Sequence, residues 1–164
     1  MKQENYIKLS AWVRKFKNGE KIVQYGNIFL TRIVYIAFLA LLLLLAVHKD
    51  TRIVRIVLTT GISFIIVSVF RYILNTPRPY TKYEFDPIVK KKKVGQSMPS
   101  RHVFSVFVIG MAFLYINTIL GIVIFAIGVL MCIGRVFAGV HFPSDVLVGA
   151  LIGILSGVIG FYLI

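Results

Sequence analysis

Three short clusters of ionisable residues interrupt an otherwise apolar chain. The first holds Arg71 and Arg78, which lie seven residues apart, or about two helical turns. Pro77 and Pro79 end the helix around the second arginine, so that Arg78 can turn back toward Arg71. Arginine presents a planar fork of N–H donors that matches phosphate oxygens. The spacing therefore predicts an anion-binding site.

The second cluster runs from Pro99 to His102, directly before an apolar segment. Ser100 is a favourable N-cap, and the free backbone N–H groups at a helix start, including that of Arg101, attract anions. A single histidine at a helix start is more often a structural or surface residue. This cluster indicates a functional site only in combination with the other two clusters.

The third cluster holds Arg135, His141 and Asp145, and no other acidic residue follows Asp86. Together with His102, this cluster contains the parts of an acid–base and nucleophilic site: a nucleophile, a partner that orients it and a proton donor. No set of Cys, His, Asp and Glu is dense enough to bind a divalent metal. We therefore predict no metal, with arginines neutralising the charge that Mg²⁺ neutralises elsewhere.

The composition indicates the environment in which these clusters act. Of 164 residues, 58% are hydrophobic and 15% charged, yet the formal net charge is +13. Soluble domains are nearer half apolar and about a quarter charged, and nucleic-acid binders spread their basic residues over a polar surface. Disordered tails, coiled coils and nucleic-acid-binding modules are therefore excluded, and an integral membrane protein is predicted. Cys132 is the only cysteine, so no intramolecular disulfide can form.

The elements that must position the clusters are apolar helices. About 20 residues in a helix cross the hydrocarbon core of a bilayer. Five segments fit this description, at residues 28–47, 53–74, 102–116, 118–138 and 144–164. The third is short, and we expect it to extend into the following residues. The prediction is an all-α polytopic bundle of about five transmembrane helices, in which all three clusters lie at one membrane face.

Residues 1–27 form a basic N-terminal segment ahead of the transmembrane part, 28–164. Its apolar residues, among them Tyr6 and Trp12, recur at helical spacing, with lysines and arginines on the other faces. This pattern is typical of an amphipathic helix on the membrane surface, and the alternative is a mobile basic tail. No apolar stretch followed by a small-residue cleavage site is present, which argues against a signal peptide.

The three clusters together resemble the motifs of the type 2 phosphatidic acid phosphatase family, the membrane branch of the lipid-phosphatase and haloperoxidase superfamily. The family's motifs are a basic residue, six others and Arg-Pro; Pro-Ser-x-His; and Ser-Arg, five others, His, three others and Asp. The chain has them in this order from Arg71 to Pro79, from Pro99 to His102 and from Arg135 to Asp145. The resemblance covers residues 55–160.

The resemblance implies a mechanism and a role for each residue. His141 attacks the substrate phosphorus and becomes a phosphohistidine, while Asp145 orients its imidazole. His102 protonates the leaving group and then activates water. The residues expected to hold the phosphate are Arg71, Arg78, Ser100, Arg101 and Arg135. No cofactor is expected.

The chain departs from the family pattern in four places. Arg71 stands where lysine is common, which preserves the charge, and Arg101 replaces a frequent glycine, which leaves the backbone N–H available. Gly134 replaces the serine before Arg135, so that a hydroxyl contact to phosphate is expected to be missing. The chain also has five predicted spans where the family usually has six, and residues 1–27 stand in place of the first.

The resemblance implies a lipid phosphate substrate at the membrane edge, and it does not rank the candidates. These are phosphatidylglycerol phosphate, phosphatidic acid and undecaprenyl diphosphate, with a lipid A phosphatase as an alternative if the source has an outer membrane. A lipid phosphotransferase and a non-catalytic lipid-binding relative are further alternatives. The intact set of two histidines and an aspartate argues against a non-catalytic protein.

Two arguments about the orientation in the membrane conflict. Outside the site residues, eleven Lys and Arg lie on the motif side and three on the opposite side, so the positive-inside rule predicts a cytoplasmic site. The family resemblance implies a site on the extracytoplasmic face of the cell membrane. We expect the extracytoplasmic site, with the basic residues serving an anionic lipid.

Three other features call for simpler interpretations. Lys90, Lys91, Lys92 and Lys93 indicate a solvated or headgroup-binding loop, with direct recognition of an anionic lipid or diphosphate as the alternative. Gly149, Gly153 and Gly157 give the last helix a smooth face. Packing within the chain is the simpler explanation of that face, and a homodimer seam is the alternative. His48 is assigned no catalytic role.

Overall fold

A computed structural model describes residues 1–90 and 92–164, and in these ranges the chain is helical, without strands. This confirms the predicted all-α class. A short π-helical segment, Ile159–Leu163, closes the chain. The α-helices are α1 Gln3–Lys15, α2 Gly19–Val47, α3 Arg52–Leu74, α4 Pro79–Tyr83, α5 Arg101–Ile116, α6 Thr118–Phe137 and α7 Pro143–Val158.

Four helical stretches in the described residues are long and apolar enough to cross a membrane: Gly19–Val47, Arg52–Tyr83, Thr118–Phe137 and Pro143–Leu163. Their outer faces expose large side chains such as Leu43, Ile65 and Leu151. In water such a surface would be unfavourable, whereas lipid tails can cover it. The predicted membrane bundle is therefore confirmed, with α5 as a fifth, shorter apolar helix.

Helix α5 is the central helix of the bundle. Every residue from Val103 to Phe113 is buried, because α6 and α7 both pack along its length. Its predicted extension is wrong, since α5 ends at Ile116. Asn117 has an extended backbone and its side chain accepts a hydrogen bond from Leu120 N at 3.0 Å. This N-cap begins α6 and separates the two helices.

The glycine face of α7 packs against α5. A Cβ at Gly149 would lie 2.8 Å from Ser100 O, and one at Gly153 would lie 2.7 Å from Phe104 O. A Cβ at Gly157 would collide with the Met111 side chain. The close approach covers this face within the chain. A homodimer remains a prediction, and it would need another surface.

The N-terminal segment is helical and packs on the end of the bundle. Tyr6, Ser10 and Val13 of α1 are buried, whereas Trp12 is half-exposed. A tight turn then leads into α2, where a Cβ at Gly19 would lie only 2.0 Å from Val13 O. Because α2 begins at Gly19, the boundary expected at residues 27 and 28 falls inside a helix.

Candidate active site

The first two sequence clusters are joined by the guanidinium group of Arg71. Arg71 is buried near the end of α3 and donates hydrogen bonds to the carbonyl oxygens of Pro99 and Gln96. Arginine has five donors in a fixed plane. The bonds to this loop fix the direction of the remaining donors, next to the start of α5.

Arg78 joins the first cluster to the third. It is the N-cap residue of α4, and its side chain is buried. Its Nε donates to Gly95 O at 3.2 Å, and an NH1 hydrogen bond of 3.3 Å reaches Val140 O, directly before His141. Ser100 N in turn donates to Asp145 O at 2.8 Å. The three clusters therefore form one hydrogen-bonded unit.

His141 and Asp145 form a buried pair at the start of α7. His141 Nδ1 lies 3.4 Å from Asp145 Oδ2. The same carboxylate oxygen accepts hydrogen bonds from Ser97 Oγ and from Phe142 N, the latter at 2.9 Å. Asp145 also lies in the first turn of its helix, where the helix dipole favours negative charge. The carboxylate is thus held in place, and Nε2 is the imidazole nitrogen left for chemistry.

Burial lowers the pKa of His141 from about 6.5 to about 4, although the neighbouring carboxylate of Asp145 acts in the opposite direction. Positive charge on Arg78 and Arg135 adds to the lowering. A neutral imidazole has a lone pair on one nitrogen and a proton on the other. His141 is therefore in the nucleophilic form at neutral pH, with Asp145 available to stabilise an imidazolium.

Arg135 and His102 line a shared cavity of about 320 Å³ at the same end of the bundle. Arg135 is buried at the end of α6, and its NH2 donates to Thr31 Oγ1 at 3.2 Å. Its Nε makes no hydrogen bond within the described residues. His102, in the first turn of α5, is partly buried. A cationic donor and an imidazole therefore face the same space.

Ser100 and Arg101 occupy different environments at the start of α5. Ser100 is the N-cap residue, as expected, yet its fully buried hydroxyl makes no hydrogen bond within the described residues. The guanidinium of Arg101 is exposed and lies 5.6 Å from the ring of Phe64. The side chain of Arg101 thus points outward, and only its backbone belongs to the interior of the site.

Four residues of the site were not found from the sequence. Ser97 holds Asp145, and the hydroxyl of Tyr6 in α1 donates to the carbonyl oxygen of His141 at 3.2 Å. Asn27 and Thr31, both in α2, contact Gly134 and Arg135. The only sequence signal for the α2 pair is two polar residues four positions apart at the start of an apolar span.

The lysines of residues 90–93 have different surroundings. Lys91 lies outside the described residues. Lys90 Nζ lies 3.4 Å from Asp86 Oδ1. Lys93 is exposed, and its pKa is lowered by partial desolvation and then by the charges of Arg71, Arg101 and Arg78. The charge of Lys93 is therefore within electrostatic range of these three arginines. Within the residues that the structure describes, no three His, Cys, Asp or Glu side chains group as metal ligands.

The helices and this site define a class: a membrane-spanning protein with a buried arginine and histidine centre at one end of its bundle. A sequence model of the PAP2 superfamily matches residues 52–164, and the chain belongs to this superfamily. Together with the membrane-spanning helices, this makes the chain a membrane phosphatase of lipid metabolism. The recognition of the family from its motifs is therefore confirmed. Helix α2, with Asn27 and Thr31, precedes the matched region.

Two proteins of similar sequence are both from Bacillus. The chain is 27% identical over 138 residues to the undecaprenyl-diphosphatase BcrC of Bacillus subtilis (strain 168), covering 82% of the chain and 71% of the relative. It is 30% identical over 134 residues to the bacitracin transport permease protein BcrC of Bacillus licheniformis, covering 76% of the chain and 64% of that relative.

Two solved structures share the fold. LpxE of Aquifex aeolicus superposes with a TM-score of 0.70 at 24% identity, over 94% of this chain and 93% of the other. The PAP2-type phosphatidylglycerolphosphate phosphatase of Bacillus subtilis gives a TM-score of 0.62 at 22% identity, over 94% and 90%. At this identity the likeness establishes the fold alone.

Proposed function

We propose that the chain hydrolyses a phosphate monoester or diphosphate of a membrane lipid through a phosphohistidine at His141. The observation that carries the proposal is the buried pair in which Asp145 Oδ2 lies 3.4 Å from His141 Nδ1. Nε2 attacks phosphorus, the bond from phosphorus to the leaving oxygen breaks, and His102 protonates that oxygen. Asp145 stabilises the imidazolium that forms.

The buried arginines provide the electrostatic part of the mechanism. Arg71, Arg78 and Arg135 each retain N–H donors beyond those used in the structure. Fixed donors directed at developing negative charge stabilise the transition state of phosphoryl transfer. With Ser100 and the backbone of Arg101 they form the proposed phosphate site. Asp145 is the single carboxylate at this site among the described residues, and it already accepts two hydrogen bonds, which supports a metal-independent reaction.

Among lipid phosphates we propose a lipid diphosphate as the preferred substrate. The similarity to an undecaprenyl-diphosphatase supports this choice. Charge at the outer edge of the site supports it too, because Arg101 is exposed there and Lys93 lies close to the buried arginines. A second phosphate would extend from the buried site to these cations.

The assay is phosphate release from a panel of lipids in detergent, with EDTA present: undecaprenyl diphosphate, phosphatidic acid, phosphatidylglycerol phosphate and lipid A. We expect the diphosphate to be hydrolysed fastest and the His141→Ala variant to be folded and inactive. Labelled phosphate found on a second lipid instead of in solution would favour a phosphotransferase. Strict dependence on an added divalent metal would contradict the arginine-based site. Binding of these lipids without any phosphate release would indicate a non-catalytic relative.

We further propose that the site faces the extracytoplasmic side of the cell membrane. The test is labelling of a single cysteine, introduced at Lys82 in a Cys132→Ser background, by an impermeant maleimide on intact cells. Lys82 is exposed near the site. A cysteine at Lys49, which lies in the turn between α2 and α3 at the opposite end, is the matched control. Labelling of the second cysteine alone would place the site in the cytoplasm, as the charge count predicts.

A further inference from the structure

Helix α2 carries a polar pair that faces the end of α6. Asn27 is buried, and its Nδ2 donates to Val23 O at 2.7 Å and to Gly134 O at 3.0 Å. Thr31 Oγ1 donates to Asn27 O at 2.7 Å and accepts from Arg135. Polar side chains in a membrane span are costly unless their polar atoms are paired, and those that remain unpaired often mark functional sites. These bonds satisfy the hydroxyl of Thr31, whereas in the Asn27 amide they satisfy only Nδ2.

The orientation of the Asn27 amide follows from its partners. Both Nδ2 hydrogens point to carbonyl oxygens, so that Oδ1 must point elsewhere. Oδ1 is buried and accepts no hydrogen bond from any residue of the described ranges. The Asn27 amide can lie against α6 because residue 134 is a glycine. A Cβ at Gly134 would lie 3.0 Å from both Nδ2 and Oδ1 of Asn27. The glycine before Arg135 thus leaves room for a carboxamide that comes from another helix.

The cavity that Asn27 lines also holds His102 and Arg135. Within the described residues it therefore contains a buried acceptor without a donor, Asn27 Oδ1, and a buried donor without an acceptor, Arg135 Nε. A phosphate oxygen can accept from Arg135. A fully ionised phosphate has no hydrogen for Asn27, whereas a water molecule has two. The chemistry of the cavity thus matches a phosphate and a water side by side.

We propose that Asn27 is a positioning residue that orients the water that hydrolyses the phosphohistidine, an inference that rests on the proposed function. One O–H of the water points at His102 and the other at Asn27 Oδ1. As the oxygen attacks phosphorus, His102 takes the first proton and the bond from phosphorus to His141 Nε2 breaks. His141 regains a neutral imidazole, inorganic phosphate leaves, and His102 holds the proton that the next leaving group needs.

The test separates the two half-reactions by rapid quench with undecaprenyl diphosphate labelled with ³²P in its terminal phosphate. Asn27→Leu keeps the approximate volume and removes the acceptor. We expect formation of the phosphoenzyme to stay within about twofold of wild type and its hydrolysis to slow by about 10- to 100-fold, the effect of one lost hydrogen bond at the reacting group. The labelled phosphoenzyme then accumulates. Gly134→Ala, whose methyl group displaces the amide, should give the same pattern from a different helix.

The matched control is Thr60→Val in α3, where the hydroxyl bonds to Ile56 O at 2.7 Å, within its own helix. This variant should behave as wild type in both steps. If Asn27→Leu and Gly134→Ala slow both steps equally, or raise only KM, Asn27 contacts substrate or supports the fold and the inference is wrong. If the wild type forms no phosphoenzyme at all, the proposed function fails instead.

Discussion

Ser97 gives the sharpest prediction, because nothing in the three sequence motifs includes it. Its fully buried hydroxyl donates to Asp145 Oδ2, the oxygen nearest to His141 Nδ1. In Ser97→Ala the carboxylate keeps the hydrogen bond from Phe142 N and loses the one that ties it to the loop before α5. The carboxylate then has freedom to turn away from the imidazole.

The expected size of the effect follows from the kind of bond that is lost. A hydrogen bond to a charged acceptor contributes about 1.5–3 kcal/mol, and about 1.4 kcal/mol corresponds to a tenfold change. We therefore expect kcat to fall by about 10- to 150-fold. Since Ser97 contacts Asp145 rather than substrate, KM should stay within about twofold. Ser97→Thr, which keeps a hydroxyl, should recover part of the rate.

The assay is steady-state phosphate release from the preferred lipid, with thermal unfolding in detergent measured in parallel. The matched control is Ser105→Ala, because Ser105 is also buried but its hydroxyl makes no hydrogen bond in the described residues. The reasoning would be refuted if Ser97→Ala retained wild-type kcat. It would also fail if both serine variants lost the same activity, or if the loss appeared in KM alone.

Three further predictions concern pH, the N-terminal helix and helix packing. In the proposed mechanism His141 attacks in its neutral form, so kcat/KM should rise with pH through the pKa of His141, with an acid limb near pH 4 rather than near 6.5. A limb near 6.5 would show that the histidine is solvated. Tyr6→Phe removes the hydrogen bond to His141 O and keeps the stacking on Phe85 at 5.2 Å. In the phosphate-release assay we expect kcat of Tyr6→Phe to fall by up to about tenfold, with an unchanged melting temperature. A fall in melting temperature without loss of kcat would mean that Tyr6 only anchors α1. Gly153→Ala places a Cβ 2.7 Å from a carbonyl oxygen of α5 and should lower the melting temperature. Gly26→Ala meets no described residue within 4 Å and should leave the melting temperature unchanged. Equal melting temperatures would contradict the packing.

The parts of the site that are local in sequence could be predicted. His141 and Asp145 are four residues apart at a helix start, and the family resemblance implied their pairing. The arginine spacing likewise indicated an anion site. The helix count predicted that the three clusters share one membrane face, but not the individual contacts that join them, such as Arg78 to Val140 O.

The parts that depend on distant packing could not be predicted. Ser97 is an ordinary loop serine until the fold brings it to Asp145, 48 positions away. Asn27 reaches Gly134 across 107 positions, and no periodic pattern marks it. The end of α5 was predicted wrongly although Asn117 is a good N-cap, because the apolar pattern continues on both sides of it.

The central claim is that His141 carries the phosphoryl group. The most direct measurement is to mix the purified protein with undecaprenyl diphosphate bearing ³²P in the terminal phosphate, quench it in alkaline detergent, and map the label by peptide mass spectrometry. The account predicts an acid-labile phosphate on His141 that forms and decays at rates consistent with turnover and is absent in His141→Ala. Label on another residue, or full turnover by the His141→Ala variant, would contradict it.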